Sequence, residues 1–485
     1  MTVRLNACAL LLTGAFSLAS QQASAQECTR PLLGQGQMTG SVTETTAILQ
    51  ARLTEGMSLI NHDLPGCLGI ARWEYSNDPA FKSAERTPWI VADSTYDYIV
   101  KARITGLEPG RRYYYRLWFG PDTLNAWVGS RATFRTLGGK TEEREVRVVV
   151  VTGMNVDKFC RDPERSYVGP DRDLGFPALE TILSLKPDFF VGTGDNVYYD
   201  APNQPYGVAV DARGIRRSYH EQFVRPRFHN LFAEVPTYWE KDDHDYRYND
   251  SDTTGDVRPL HALGVRMFLE QLPVALPEDT DPVTYGTYRL TKELQIWLVE
   301  GRDYRSPNSA PDGPGKTIWG AVQRDWLKRT LRESDATFKV LISPTPLVGP
   351  DDRYKTDNHA DINGFRFERD DFFAFLLDQG IARNFFIVCG DRHWQYHSVH
   401  PTGIEEFASG ALVDANSRGG RLPGDPASSD PEAEIIQPYV MTEGSGGFLQ
   451  LRSVPGTDAL PPRLFFEFFD ERGRLFYATQ KRARH

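Results

Sequence analysis

Between Gly34 and about Leu137 apolar positions alternate with polar ones in short runs, TTAILQARL, CLGIARWEYS, YDYIVKARITGL and RRYYYRLWFG, separated by Gly, Pro, Asp and Asn. A period of two interrupted by turn formers predicts short antiparallel strands packed as a small all-β sandwich. Residues 138–145, GGKTEERE, are polar and read as a linker. Beyond them the pattern changes to continuous apolar runs, VRVVVV, PDFFVG, VPTYW, LQIWLVE, FKVLIS and NFFIVC. Runs of that length suit strands buried on both faces. Between several of them lie amphipathic segments, FPALETILSLK, GAVQRDWLKRTLRES and ERDDFFAFLLDQG, which predict helices. In the second, Val322, Trp326, Leu327 and Leu331 form the expected core stripe. Strands alternating with helices define an α/β class for the larger, C-terminal part.

At 485 residues the chain is long for one core, so two domains are expected. The N-terminus carries Arg4, an apolar stretch from about Ala7 to Leu18, and Ala23-Ser24-Ala25, an A-x-A site. It reads as a signal peptide over residues 1–25, too short to span a bilayer, which needs roughly 20 apolar residues. The mature protein is therefore expected to be exported, periplasmic or extracellular, with no integral membrane segment. Removing the signal leaves Cys28, Cys67, Cys160 and Cys389, among which Cys28 and Cys67, both in the first domain, are the favoured disulfide pair. A formal net charge of -10 with no clustered basic face argues against nucleic acid as a stable partner. The locally basic RGIRRSYHEQFVRPRFH reads as a solvated helix face. The sequence specifies no oligomeric state.

The candidate chemistry follows the apolar runs. After them come TGMNVD, TGDNVYYD, EKDDHDYRYND, GRDYRS, PTPLVGPDD and GDRHWQYH, so ionisable residues gather at the carboxyl ends of strands. That edge is where open α/β sheets bind ligands. Asp242 and Asp243 are adjacent carboxylates that would repel unless exposed or neutralised by a cation, and His244 follows them. In Gly390-Asp391-Arg392-His393, extended backbone would turn Asp391 and His393 to one side and Arg392 away. An oxygen and an imidazole nitrogen on one side suit zinc, iron or manganese.

Gly194-Asp195-x-x-Tyr198, Asp243-His244 and Gly390-Asp391-x-His393 resemble the successive motifs of the calcineurin-like metallophosphoesterases, and their order resembles more particularly the alkaline phosphatase D (PhoD-like) family. LVEGRDYRSP, SGGFLQLRS and FFDERGRLFYATQ extend the similarity, and ITGLEPGRRYYYRLWF resembles the tyrosine corner of fibronectin type III domains. The resemblance implies a calcineurin-like β-sandwich flanked by helices over residues 146–485, preceded by a fibronectin-like domain over 26–137. It implies two or more metal ions, iron first, calcium able to join it, zinc or manganese as alternatives, roughly 3.5–4 Å apart and hydrolysing a phosphate ester by metal-activated hydroxide. Asp195 would bridge, with Tyr198, Asp243, Asp391 and His393 as further ligands. His244 would orient phosphate or protonate the leaving group, Arg302 and Arg305 would neutralise phosphate oxygens, and Asn196 and Arg392 would contact substrate.

Two departures from the family pattern stand out. Where the family places a cysteine after the first strand of the catalytic domain, this chain has VVVTGMNVDKFC, leaving Asn155 or Asp157 as oxygen donors and Cys160 further along. The family's Asp-x-Arg segment begins here with Glu300, a ligand candidate one methylene longer, and DNHAD offers His359 and Asp361. Residues 416–434, rich in Gly, Pro and Asp, read as a long exposed loop. The expected function is a secreted phosphatase or phosphodiesterase. The alternatives are a phospholipase D-like or nucleotide phosphodiesterase on the same fold, and a surface-binding protein with a degenerate metal site.

Overall fold

The computed structural model describes residues 28–484, so the signal-peptide segment 1–25 lies outside the described residues. Two large sheets face each other. The first runs Leu475–Arg482, Arg463–Asp470, Gly447–Val454, Val146–Val151, Phe189–Thr193, Thr237–Glu240, Gln37–Gly40, Ala47–Arg52 and Ile99–Ile104. The second runs Gly286–Arg289, Leu294–Leu298, Phe338–Ser343, Phe385–Cys389, Glu405–Ser409, Gln395–Val399 and Ile436–Val440. The apolar runs form the parallel centres of both, Val146–Val151 with Phe189–Thr193 and Thr237–Glu240, and Leu294–Leu298 with Phe338–Ser343 and Phe385–Cys389.

Both faces of these strands are covered, which is why they read as continuous apolar runs. Val148, Val150, Phe189 and Val191 meet Ile296, Val340, Ile342 and Val388 between the sheets. On the outer faces, Pro177–Leu185 and Ala212–Phe223 cover the first sheet, while Gly320–Glu333 and Arg366–Asp378 cover the second. Val322 departs from the expected stripe: it is 77% exposed. The helix begins at Gly320, and its buried stripe runs through Gln323, Leu327 and Leu331 instead. The stretch RGIRRSYHEQFVRPRFH is less solvated than expected, because Ile215 and Ser218 to Phe223 are buried, while Arg213 stays exposed.

The N-terminal strands build two layers. Gly69–Ser76, Arg112–Gly120 and Ala132–Arg135 belong to a third sheet, and the turn before Arg112 is closed by Tyr113, whose hydroxyl accepts the Glu108 N–H at 2.9 Å. The other layer joins the first large sheet: Gly40 pairs with Thr237, and the Thr237 hydroxyl donates to Thr39 O at 3.0 Å. The stretch 138–145 is not a free linker, since Arg144 holds Asp188 at 2.6 Å and Lys292 N donates to Glu142 O at 2.9 Å. Cys28 and Cys67 are joined in a disulfide, while Cys160 and Cys389 are free.

Candidate metal centre

The carboxyl ends of the central strands from both sheets converge at one edge. Gly194 N donates to Glu240 O at 3.1 Å, Thr152 Oγ1 to Gly194 O at 2.9 Å, and Gly390 N to Ser343 O at 3.0 Å. Gly194 has φ +77°, and a Cβ there would lie 2.4 Å from Asp242 Cβ, so only glycine lets the two loops meet. Asp195 follows in the left-handed region at φ +53° and turns its carboxylate into the space the loops enclose.

Asp195 Oδ2 accepts the Tyr198 hydroxyl at 2.7 Å and lies 3.1 Å from His393 Nε2, which is 3.2 Å from the same hydroxyl. Two acidic groups with metal-ligand spacing adjoin it. Asp195, Asp243 and His244 form one, and Asp243, Asp250 and Asp357 the other, with donor atoms within 4.8 Å of one another in each. The second already contains a cation: Lys355 Nζ contacts Asp250 and lies 3.7 Å from Asp357 Oδ1. Burial, together with repulsion from Asp357, raises Asp250 to about 6 against the pull of Lys355.

The donor set fits a metal. Asp195 Oδ1, Asp242 Oδ2, Asp391 Oδ2 and both Asp357 oxygens are buried without a hydrogen-bond partner. Burial, with the repulsion of Asp243, Asp391 and Asp195, pushes Asp242 well up despite Arg302, and burial with the Asp195 charge pushes the Tyr198 phenol well up. A cation among these oxygens reverses both effects. Although burial opposes it, Asp243 is held well below the usual carboxylate range by His244, Arg302 and Lys355. The charges of Asp243 and Asp200 likewise raise His244 against its burial.

Asp195, Tyr198, Asp243, His244, Asp391 and His393 thus come from separate strand ends to one edge. The local geometry around Asp391 differs from the extended one expected. Asp391 sits at φ +59° and Arg392 N donates to Gly390 O at 2.6 Å, so the segment is a turn. The Arg392 guanidinium folds back onto Asp391 and Asp351, buried and away from any substrate. Asn196 is also no substrate contact, being fully buried with its amide on Glu240 O at 2.7 Å and Asp245 Oδ2 at 2.6 Å.

The arginines are committed as well. Arg302 grips Asp242 through Nε at 2.8 Å and Ser251 O through Nη1 at 2.7 Å. Arg305 donates to Gly301 O at 2.8 Å and Asp357 O at 2.9 Å, lying against Phe365. They brace the acidic loops instead of offering donors to phosphate.

Glu300 accepts Lys241 Nζ at 2.5 Å, the Thr284 hydroxyl at 2.6 Å and Arg302 N at 2.7 Å, which leaves it no role as a ligand. Asn155 Oδ1 caps the helix Val156–Arg161 by accepting Lys158 N at 2.9 Å. Asp157 pairs with Arg161, and Cys160 Sγ meets Arg225 at 3.2 Å, so neither replaces the cysteine of the family pattern. His359 Nε2 lies 3.0 Å from Glu368 and its ring packs on Trp319, while Asp361 Oδ2 accepts the N–H groups of Asp357 and Asn358 at 2.9 and 3.0 Å. In DNHAD the residue at the centre is the first one, Asp357.

Besides Asp357, three contributors escaped the sequence reading. Asn416 Nδ2 donates to the Tyr198 hydroxyl at 2.9 Å from a segment far along the chain. Asp200 Oδ1 lies 2.7 Å from His244 Nδ1, while the His244 ring stacks on Tyr198 at 4.3 Å. Asp250 completes the second acidic group. Asp200 ends the same TGDNVYYD motif, and that adjacency was its one available signal.

Two helix-flanked sheets with this carboxylate edge define a metallophosphoesterase fold. A solved structure of PhoD superposes with a TM-score of 0.71 over 94% of this chain and 91% of that one, at 15% identity. The purple acid phosphatase PPD1 from yellow lupin seeds gives 0.58 over 93% and 73%, at 12% identity. The PhoD-like phosphatase profile matches residues 165–438, and the profile of that family's N-terminal domain matches 18–138. The chain belongs to the PhoD-like phosphatase family. Alkaline phosphatase D of Bacillus subtilis (strain 168) is 21% identical over 384 residues, 70% of this chain, and the match spans 60% of that relative's length.

Proposed function

We propose that the protein is an exported, metal-dependent phosphoesterase hydrolysing phosphate mono- or diesters. The observation that carries this reading is the set of buried, partnerless carboxylate oxygens of Asp195, Asp242 and Asp391 at one strand-end edge, beside Tyr198 and His393. Asp195, Tyr198, Asp243, Asp391 and His393 are the residues that would hold the metals. A carboxylate, phenol and imidazole set with no thiol suits iron, with calcium acceptable to the carboxylates. When bound, such ions supply positive charge for the phosphoryl oxygens and lower the pKa of water.

The chain's own residues do the rest. Tyr198 and His393 hold Asp195 Oδ2 from two directions, and Asn416 fixes the Tyr198 hydroxyl. Asp200 engages His244 Nδ1, which leaves Nε2 to give a proton to the departing oxygen. Lys241, Arg302 and Lys355 pair with Glu300, Asp242 and Asp250 and offset part of the negative charge around the centre without entering the reaction. Export is supported by the A-x-A site at Ala23–Ala25 and by the Cys28–Cys67 disulfide, a bond suited to an oxidising compartment.

The test compares hydrolysis of 4-nitrophenyl phosphate with that of bis(4-nitrophenyl) phosphate. Turnover of either supports the reading, and their ratio assigns monoesterase or diesterase. If neither is cleaved with iron, calcium, zinc or manganese supplied, the reading fails and a binding protein with a lost site takes its place.

A further inference from the structure

The segment 416–434 is a loop, largely exposed as expected, but Asn416, Ser417, Ser428, Ser429 and Asp430 are buried and its first residues reach the metal centre. Ser417, at φ -83° and ψ 156°, ends the 3-10 turn Asp414–Asn416 and leads the chain on to Arg418. Asn416 meets the Tyr198 hydroxyl, and Arg418 N donates to His393 O at 3.0 Å. Arg418 therefore starts beside the metal centre, about 7 Å along the chain from Asn416.

The Arg418 guanidinium lies over the Trp394 ring, 4.3 Å from its centroid, and Nη2 donates to Asp352 Oδ2 at 2.7 Å. Arg421 Nε contacts the other oxygen of Asp352, with Nη1 3.5 Å from Asp425. The Asp352 side chain is 2% exposed, whereas those of Arg418 and Arg421 are 43% and 33% exposed. Its neighbour Asp351 faces inward and holds Arg392 against Asp391. The doublet Asp351-Asp352 thus ties an outer pair of arginines to the ligand-bearing turn.

Two guanidinium groups on one buried carboxylate exceed what that ion pair needs, and each keeps N–H donors in solvent. Trp394 and Asp352 already restrain them, so little side-chain entropy is lost when an anion binds. A guanidinium fork matches phosphate oxygens better than any other side chain. Arg302 and Arg305 spend their donors on the protein and Arg392 is buried against Asp351 and Asp391, whereas Arg418 and Arg421 are partly exposed.

We propose that Arg418 and Arg421 form a subsite for a second phosphate group, carried by the substrate beside the one that is hydrolysed. The proposal rests on the phosphoesterase reading for the position of the first phosphate. It makes the substrate class organic diphosphates and bisphosphates in preference to simple monophosphates.

The experiment measures binding, by titration calorimetry on the full chain as purified, of methylenediphosphonate and methylphosphonate. Wild type is expected to prefer the diphosphonate at least about tenfold, the scale of one charge-assisted hydrogen-bonded group. In Arg418→Ala/Arg421→Ala that ratio collapses toward one, and Arg418→Lys retains part of it. Equal affinities in wild type overturn the proposal without any variant being needed. So does a preference that survives loss of both arginines, which assigns it to metal chelation. Diphosphonate preference that depends on the arginines, in a protein that cleaves no phosphate ester, removes the phosphoesterase reading and keeps the subsite. Ester cleavage without the preference does the reverse.

Discussion

Glu300 and Asp357 differ less in type than in company. Glu300 faces Lys241, Thr284 and two backbone N–H groups, whereas both Asp357 side-chain oxygens lack a hydrogen-bond partner. Glu300→Gln leaves the buried Lys241 ammonium with Asp303 as its one carboxylate partner, 2.9 Å away, and is expected to cost about 1–3 kcal/mol of stability. Urea unfolding checks this, and a variant as stable as wild type would return Glu300 to the list of ligands. Residue identities at the centre were legible because Asp195, Tyr198, Asp243, His244, Asp391 and His393 stand directly after apolar runs. Asn416 was not, since what makes it matter is one contact across 218 positions. Arg302, Arg305 and Arg392 were legible as residues but not as parts, because their buried carboxylate and carbonyl partners are set by loop geometry.

Among the elements, strands buried on both faces were readable as runs and the long helices as stripes. Val322 misled because a stripe read from spacing alone does not show where the first turn begins. The conformation of strand-end turns carries the chemistry, and here too backbone detail decides. Gly194→Ala would put a Cβ 2.4 Å from Asp242 Cβ at φ +77°. A loss of about 1–3 kcal/mol is expected from the strained backbone, with more if Asp242 cannot retreat. Denaturant midpoints of the variant test this, and an unchanged midpoint would mean that the two loops are not pinned together. Tyr113→Phe removes the acceptor for Glu108 N–H and is expected to cost about 1 kcal/mol by the same measurement.

Across the whole molecule, the sandwich expected as a separate N-terminal unit shares a sheet with the catalytic part. That union rests on the Gly40–Thr237 pairing, a non-local contact that no periodicity reveals. A buried polar bridge adds to it: His220 spans Asp63 and Asp97 at 2.7 Å each, and Asp97 also receives Arg52 at 2.9 Å. Burial alone would raise Asp97, yet His220 and Arg52 hold it far below the ordinary carboxylate value. Because the folded-state pKa is depressed, this stabilisation is present above about pH 4 and is lost as pH falls below it. Asp97→Asn is expected to cost about 3–5 kcal/mol at neutral pH. The gap to wild type should narrow in acid, and a gap constant from neutral pH downward would deny the charge its role.

The most direct test of the central claim joins metal content to turnover. Wild type and Asp195→Asn are stripped with chelator, resupplied with iron and calcium, and assayed for bound metal and nitrophenyl ester hydrolysis. The account predicts that wild type loses hydrolysis with its metal and regains both, while Asp195→Asn stays folded, binds less metal and falls at least about a hundredfold in kcat/KM. Hydrolysis that survives chelation, or an Asp195→Asn variant as active as wild type, would contradict it.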